Sequence, residues 1–366
     1  LMQKKIILFM PSIEFGGVEK NLYLLSNFLS KKLKIAIITA DNLSKKKFSK
    51  DIEYISPKRN FFYKKKKYLK YMVCIILLIK QILSVKNIAV FSFQANIYAI
   101  IVCKIFNIKI ITRSNTSPTG WSDNFLKIYI FKKVLRLSNL VIVNSAEFKK
   151  EMNKKFNIKS KLILNPLNKK EIIKNSKFKL KKEVFFKKDY LNIINVSRLT
   201  DQKDHITLLK AINILKNKIK LKLLIVGDGA NKSKIIDFIY LNRLHKNVKL
   251  KNFQANPYPL IKKSDLLILS SKYEGLPNIL LEGITLKTFI ISSNCNTGPK
   301  EILDNGRYGL IFNVGNEKEL ASKILMYYHN PNKYDKMKFA AYKSLDKYDF
   351  EKNCDLYYKC IKNYLF

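Results

Sequence analysis

Arginine is scarce in this chain. Of its 70 basic residues only Arg59, Arg113, Arg136, Arg198, Arg243 and Arg307 are arginine, and the rest are lysine. Acidic residues are few as well, 27 in all, which leaves a formal net charge of +43. Such an excess invites a nucleic-acid or membrane-surface reading. Lysine, asparagine and isoleucine abound together, however, which is the bias an AT-rich genome imposes on solvated positions whatever the function. Nucleic-acid recognition motifs and aromatic-rich strands are missing, so a basic nucleic-acid-binding protein is kept only as an alternative. Cysteines are five, Cys74, Cys103, Cys295, Cys354 and Cys360, an odd number without a C-x-x-C pair. The three histidines lie far from them in sequence, which argues against structural zinc. Reduced, small apolar fillers in a cytoplasmic protein are the reading that remains. Long hydrophobic runs are missing too. The longest, Tyr71–Ile79, falls well short of the ~18 residues of a membrane span. The opening Lys4-Lys5 and Ile6–Met10 run straight into Pro11, too short for a signal segment, so this reads as a first strand. No D-x-D metal motif and no repeat of solenoid length occurs.

What is present is alternation. At 366 residues and 47% hydrophobic, the chain can bury two ordinary cores, so two domains are expected. Apolar strand-like runs alternate with helical patterns, the signature of doubly wound α/β architecture. Strands are expected at Ile6–Met10, Ile35–Thr39, Ile88–Phe93, Ile108–Thr112, Leu140–Val143 and Leu162–Leu164, with helices such as Asn21–Ser30 and Phe125–Leu137 between them. A second series covers Leu191–Val196, Leu221–Val226, Val248–Leu250, Leu266–Leu269, Phe289–Ile291 and Leu310–Phe312. The Lys-rich stretch Lys169–Lys188 reads as a linker between domains 1–168 and 189–341. The tail Tyr342–Phe366 is aromatic, Lys-rich and helical in period.

The most informative stretch is Tyr273-Glu274-Gly275-Leu276-Pro277-Asn278-Ile279-Leu280-Leu281-Glu282-Gly283, which follows the buried-strand pattern Leu266–Leu269. Pro277 suits the first helical position, where its missing N–H is no loss. The helix after it would then aim free N–H groups and a positive dipole end beyond the strand tip. With Glu274 on the loop and Glu282 a turn inside, an anion cradle is flanked by two carboxylates. That suits a ligand with a phosphate centre and hydroxyl-rich ends, such as a nucleotide sugar.

Other loops at strand tips fit the same ligand, because open α/β sheets bind beyond the carboxyl ends of their strands. Gly16-Gly17 follows the first strand and would let backbone approach a diphosphate. Arg198 leaves the tip of Leu191–Val196 and Lys203 follows five residues on, at a spacing that lets both cations converge. Fixed cations stabilise a diphosphate leaving group directly, and a bidentate phosphate contact needs guanidinium. Val226-Gly227-Asp228-Gly229 is a further Gly-rich strand end.

These motifs resemble the retaining GT-B glycosyltransferases, the "group 1" family (family 4), and the resemblance covers nearly the whole chain. It implies an α/β fold of two Rossmann-like domains facing a cleft, with the last helix returning to the first domain. It implies that Glu274 contacts the donor sugar, Glu282 holds the ribose hydroxyls, and Arg198 and Lys203 bind the donor diphosphate. Gly16 and Gly17 match the family's first loop, with Glu19 one residue beyond. Asn252–Tyr258, with Asn256, resembles the loop bordering the nucleobase. Gly298–Glu301 resembles a Gly-x-x-Glu loop in which Glu301 is mainly structural. The family's acceptor-side His has no counterpart: Ile88–Phe93 is followed by Gln94-Ala95-Asn96, so Asn96, Arg113 and Asn115 are the acceptor-side candidates. The resemblance further implies a UDP-sugar donor, no metal or other cofactor, and a lipid-linked or glycan acceptor in cell-surface polysaccharide or lipopolysaccharide synthesis. A same-fold sugar-nucleotide epimerase is the other alternative. The Lys-rich aromatic run Phe61–Met72, leading into Val73–Leu83, has the form of an interfacial patch for an anionic membrane. A place on the inner face of the membrane, peripheral and cytoplasmic, would follow.

Overall fold

The computed structural model describes residues 4–13, 16–57, 67–115, 124–179 and 185–366. The chain divides into two compact units, Leu1–Pro166 with Phe350–Phe366, and Leu167–Asp349.

The first unit runs β1 (Lys5–Phe9), α1 (Gly17–Leu29), β2 (Lys34–Ile38), β3 (Glu53–Ile55), α2 (Lys67–Ser84), β4 (Ile88–Ser92), α3 (Asn96–Ile105), β5 (Ile110–Arg113), α4 (Phe125–Leu135), β6 (Leu140–Val143), α5 (Ala146–Phe156) and β7 (Ser160–Leu162). Its strands form one parallel sheet in the order β3-β2-β1-β4-β5-β6-β7. Central strands such as β1 are buried on both faces, which explains the apolar run Ile6–Phe9 after its first residue, Lys5. Helices α2 to α5 contribute to an apolar cluster that includes Ile7, Phe9 and Val90 of the sheet. Helix α1 joins a second cluster, with Ile6, Leu8 and Phe91. Helix starts follow simple capping chemistry. Ser145 Oγ accepts from Phe148 N at 3.1 Å to begin α5, and Asn157 at φ 49° ends it in the left-handed region. Strand β3 was not expected from sequence. Three residues at the sheet edge, none of them fully buried, carry no apolar run to find.

The second unit runs α6 (Lys169–Asn175), β8 (Leu191–Val196), α7 (His205–Leu215), β9 (Leu221–Val226), α8 (Lys232–Leu241), β10 (Val248–Lys251), α9 (Tyr258–Lys262), β11 (Leu266–Leu269), α10 (Asn278–Thr285), β12 (Phe289–Ser293), α11 (Pro299–Ile302), β13 (Leu310–Phe312), α12 (Glu317–His329) and α13 (Asp335–Ser344). Its parallel sheet has the order β10-β9-β8-β11-β12-β13. The chain then returns as α14 (Phe350–Leu365), whose Cys354, Tyr357, Cys360 and Ile361 join the α1 side of the first unit's core.

Two boundaries differ from the sequence reading. Within the stretch read as a linker, Lys169–Asn175 forms a helix that packs on α9 and α10 of the second unit. Asn168 starts it by accepting from Glu171 N at 3.0 Å, and its amide donates back to Glu171 Oε2 at 3.1 Å. That reciprocal cap, with Ile172 buried beneath, outweighs the charge of the flanking lysines. The returning tail begins at Phe350 and not at Tyr342, because Tyr348 is buried and its carbonyl accepts from Leu167 N within the second unit. Of the expected interfacial run, Phe61–Lys66 lies outside the described residues.

Candidate active site

In an open parallel sheet, a crevice forms beyond the strand ends where the strand order reverses. In the second sheet that point lies between β8 and β11, paired at Ile193 with Leu266 and Ile194 with Leu267. The chain leaving β8 carries Arg198 and Lys203, and the chain leaving β11 carries Glu274. The motifs found separately in sequence therefore emerge side by side.

The two loops are tied together through the candidate residues themselves. Lys203 Nζ donates to Glu274 Oε1 at 2.5 Å, with the two side chains 14% and 8% exposed. Ser271 Oγ donates to the same carboxylate oxygen at 2.7 Å. Around them Ser270 Oγ donates to Lys203 O at 2.9 Å, Lys272 N to Gln202 O at 2.8 Å, and Gln202 Nε2 to Tyr273 O at 2.8 Å. The sequence reading gave Lys203 a phosphate and Glu274 a sugar, without linking the two. Burial makes the link necessary: a carboxylate withdrawn from water needs a cation and hydrogen bonds close by.

A third loop, after β12, props Glu274 from behind. Thr297 Oγ1 donates to the Glu274 carbonyl, and Ser293 Oγ donates to Ser271 O at 2.6 Å. Gly298 has φ +62°, and a Cβ there would lie 1.8 Å from Gly275 O and 2.7 Å from Pro277 Cδ. Ser271, Ser293 and Thr297 were not picked out from sequence, since isolated hydroxyls carry no signal of what they face. We expect Gly298→Ala to destabilise the fold by at least about 1 kcal/mol, through both the left-handed backbone and the collision. A denaturant titration checks this, and an unchanged midpoint would contradict the tight approach.

Helix α10 starts one residue later than expected. Pro277, at φ −74° and ψ 103°, is extended and serves as the N-cap, so Asn278 is the first helical residue. The Pro277 carbonyl accepts from Leu280 N at 3.1 Å. Gly275, Leu276 and Pro277 are buried and Asn278 is half-buried. Glu282, about a turn into the helix, is buried as well.

Arg198 is exposed at the β8 tip, on backbone that is held firmly. Ser197 N donates to Val226 O at 3.1 Å and Leu199 N to Asp228 O at 2.9 Å. Ser197 Oγ donates to Asn195 Oδ1 at 2.9 Å, so the His205 Nε2–H must be the donor in its 2.9 Å contact with Ser197 Oγ. Burial first, and Lys203 second, pull His205 down to about 4, which keeps that imidazole neutral. A groove of about 330 Å³ behind this turn is lined by residues including Asp201, Asp204, Lys210 and Lys272, and its lining includes none of Arg198, Lys203, Glu274 or Glu282.

Several candidates have structural duties. A Cβ on Gly227 would lie 1.9 Å from Ser197 O, so glycine there lets the β8 and β9 tips meet. The Asn256 amide donates to Asn175 O at 2.9 Å, closing α6, and its Oδ1 accepts from Tyr258 N at 3.3 Å, leaving the backbone for any ligand contact. In the first unit Gly16 is the N-cap of α1, Gly17 its first residue, and both are exposed beyond β1. That place is the first sheet's own reversal point, between β1 and β4, where Ser12 N donates to Gln94 Oε1 at 2.8 Å. The acceptor-side candidates cluster in that unit around the buried Arg113, with Asn96 and Asn115 half-buried. Arg113 Nε donates to Tyr357 Oη at 3.0 Å, Nη2 to Asn165 Oδ1 at 2.6 Å, and Nη1 to Asn115 Oδ1. Asn115 Nδ2 donates to Phe93 O at 2.7 Å, and Asn96 Nδ2 to Arg113 O at 3.0 Å. The Arg113–Tyr357 bond pins α14 to the sheet and the others hold Arg113 and its neighbours in place, duties the sequence reading did not give them. Among the described residues, no group of three or more His, Cys, Asp or Glu side chains is placed to hold a metal ion.

Comparison with known proteins places this geometry in context. Residues 176–344 match the family model described as "Glycosyl transferases group 1". An uncharacterized glycosyltransferase of Methanocaldococcus jannaschii is 32% identical over 222 residues, 56% of this chain and 53% of that protein. The N-acetylgalactosamine-N,N'-diacetylbacillosaminyl-diphospho-undecaprenol 4-alpha-N-acetylgalactosaminyltransferase of Campylobacter jejuni is 30% identical over 128 residues, 35% of this chain and 34% of that protein. The chain thus spans about half or less of the length of these curated relatives. Among solved structures, Anabaena HepE in complex with UDP-glucose superposes with a TM-score of 0.77 at 15% identity, covering 98% of this chain and 99% of that one. The fold anticipated from sequence, α/β of the GT-B kind, is borne out.

Proposed function

We propose, from the match of residues 176–344 to the family model described as "Glycosyl transferases group 1", that this chain moves a hexosyl or N-acetylhexosaminyl group from a UDP-sugar to a lipid-linked or glycan acceptor, with retention of configuration. The observation that carries the reading is the Lys203–Glu274 pair at the strand-order reversal, with the start of α10 and the buried Glu282 in the same segment. The diphosphate would lie against Arg198, Lys203 and the start of α10, whose positive dipole end favours anions. Glu282 would accept from the ribose hydroxyls and Glu274 would orient the sugar. Negative charge grows on the leaving diphosphate as the glycosidic bond breaks, and two fixed cations stabilise that change. A donor phosphate oxygen would take the proton of the acceptor hydroxyl as it attacks from the same face. Neither step draws on a metal. The diphospho-undecaprenol in the Campylobacter relative's name, and UDP-glucose in the Anabaena structure, support the acceptor and donor classes. An acceptor of that kind would bring the chain to the inner face of a membrane, as a peripheral protein within polysaccharide or lipopolysaccharide synthesis.

The direct test is a thermal-shift panel of UDP, UDP-sugars and other nucleotide sugars. A ligand that binds only the folded state at a hundredfold its Kd adds about 2.7 kcal/mol, which should raise the midpoint by several degrees. We expect UDP and one UDP-sugar to do so. A panel in which no nucleotide shifts the midpoint would refute the donor assignment.

A further inference from the structure

Ten non-glycine residues among the described ones have a positive φ, and six of them are asparagine or aspartate, which tolerate it. Thr297 is the one β-branched residue of the ten, at φ 64°, and its side chain is buried. A β-branched side chain is poorly suited to that backbone, because its second branch crowds the neighbouring peptides. Glycine would adopt it freely, as Gly298 does at the next position with φ 62°. What threonine adds over glycine is a hydroxyl, and the hydroxyl has a definite partner. Thr297 Oγ1 donates to the buried Glu274 carbonyl. From the end of β12, Ser293 Oγ donates to Ser271 O at 2.6 Å, so both ends of the segment from Ser271 to Glu274 are gripped from this side. The carboxylate of Glu274 is fixed separately, through Lys203 Nζ and Ser271 Oγ on Oε1. Strained backbone persists where its surroundings over-determine it, and it gathers where function uses the geometry it secures.

We propose that Thr297 is a positioning residue for the transfer reaction, holding an unfavourable backbone so that its hydroxyl fixes the Glu274 peptide and the direction of its carboxylate. The inference rests on the reading of Glu274 as the residue that orients the donor sugar, and it acts through that residue. Without the hydroxyl, a buried carbonyl loses its donor and the Glu274 peptide is free to turn. A displacement of about 1 Å at a reacting centre is enough to lower a rate on the order of 10²-fold. Uniform binding of the nucleotide, by contrast, has no reason to change.

The test compares Thr297→Ser, Thr297→Gly and Thr297→Val by melting temperature, calorimetric UDP affinity, and steady-state kcat and KM. Serine keeps the hydroxyl, glycine removes hydroxyl and strain together, and valine removes the hydroxyl while keeping the strain. We expect Thr297→Ser to hold kcat within about threefold of the parent. Glycine and valine should each lose at least about tenfold in kcat, with KM and UDP affinity little changed. Thr297→Gly should nevertheless melt above Thr297→Val, so that activity does not follow stability as it would for a merely structural residue. In a Glu274→Ala background, Thr297→Gly should lower kcat no further, because one residue acts through the other. Parent-like kcat in Thr297→Gly beside an impaired Glu274→Ala would overturn the proposal and leave the Glu274 reading standing. Parent-like kcat in Glu274→Ala would instead sink that reading, and the positioning role with it. A Thr297→Val variant that melts with the parent would show, without any donor, that the hydroxyl holds nothing, and would overturn the proposal as well.

Discussion

Replacing Arg198 by alanine should lower turnover by roughly 10²-fold or more while the melting temperature stays where it was. That magnitude is the usual loss when a fixed donor at a developing negative charge is removed from an enclosed site. The expected indifference of stability comes from the structure. Arg198 is exposed, and the backbone carrying it is held by Ser197 N to Val226 O and Leu199 N to Asp228 O, neither of which uses its side chain. Lys203→Ala should lose turnover to a similar extent but behave differently toward heat. It strips a buried carboxylate of its cation and leaves only Ser271 Oγ on Glu274 Oε1 among the bonds described above. Removing one partner of a buried pair is strongly destabilising, so this variant should melt earlier than Arg198→Ala. Steady-state rates and melting curves on the two variants check both halves. Near-parent rates in Arg198→Ala would remove the arginine from the diphosphate site. Equal melting temperatures in the two variants would show that the lysine and glutamate are not coupled as the structure has them.

The contrast between these two cations marks how far the sequence can be read. Arg198 was legible because arginine is scarce in this chain and this one stands just past the tip of a strand that is mostly apolar. Both central strands at the reversal point, Leu191–Val196 and Leu266–Leu269, were legible from burial on both faces, which leaves a largely apolar run interrupted in the first only by Asn192 and Asn195 and in the second not at all. The partnership of Lys203 with Glu274 was not, because the two lie 71 residues apart and only sheet order brings them together. Arg113 is a stronger case. Its partner Tyr357 is 244 residues away, on a helix that returns after the whole second unit, so nothing near Arg113 announces a buried clamp. Long-range pairing hides such duties, whereas local chemistry does not. The helix at Lys169–Asn175 could have been found, since Asn168 followed by Glu171 is a capping pair in plain view.

The two glutamates should separate in a kinetic experiment, and the pairing of Glu274 sharpens the expected difference. On the proposed role, Glu282→Ala removes a hydrogen-bond acceptor for ribose hydroxyls, which are the same in the bound donor, the transition state and UDP. Such uniform binding shows as a higher KM and weaker UDP affinity, with kcat little changed. Glu274 is proposed to orient the sugar at the reacting carbon, so in Glu274→Ala kcat should fall strongly while UDP still binds. Lys203 is engaged by Glu274 at 2.5 Å, and a diphosphate must share or displace that contact to use the lysine. Deleting the carboxylate frees the cation, so UDP affinity in Glu274→Ala should equal or exceed that of the parent. Calorimetric titration of UDP into both variants, beside steady-state assays with the donor found in the thermal panel, gives both quantities. If Glu274→Ala instead abolishes UDP binding while Glu282→Ala leaves it intact, the donor lies the other way round in the loop. The carboxylate held by Lys203 would then be the ribose partner, and the one on α10 would face the sugar.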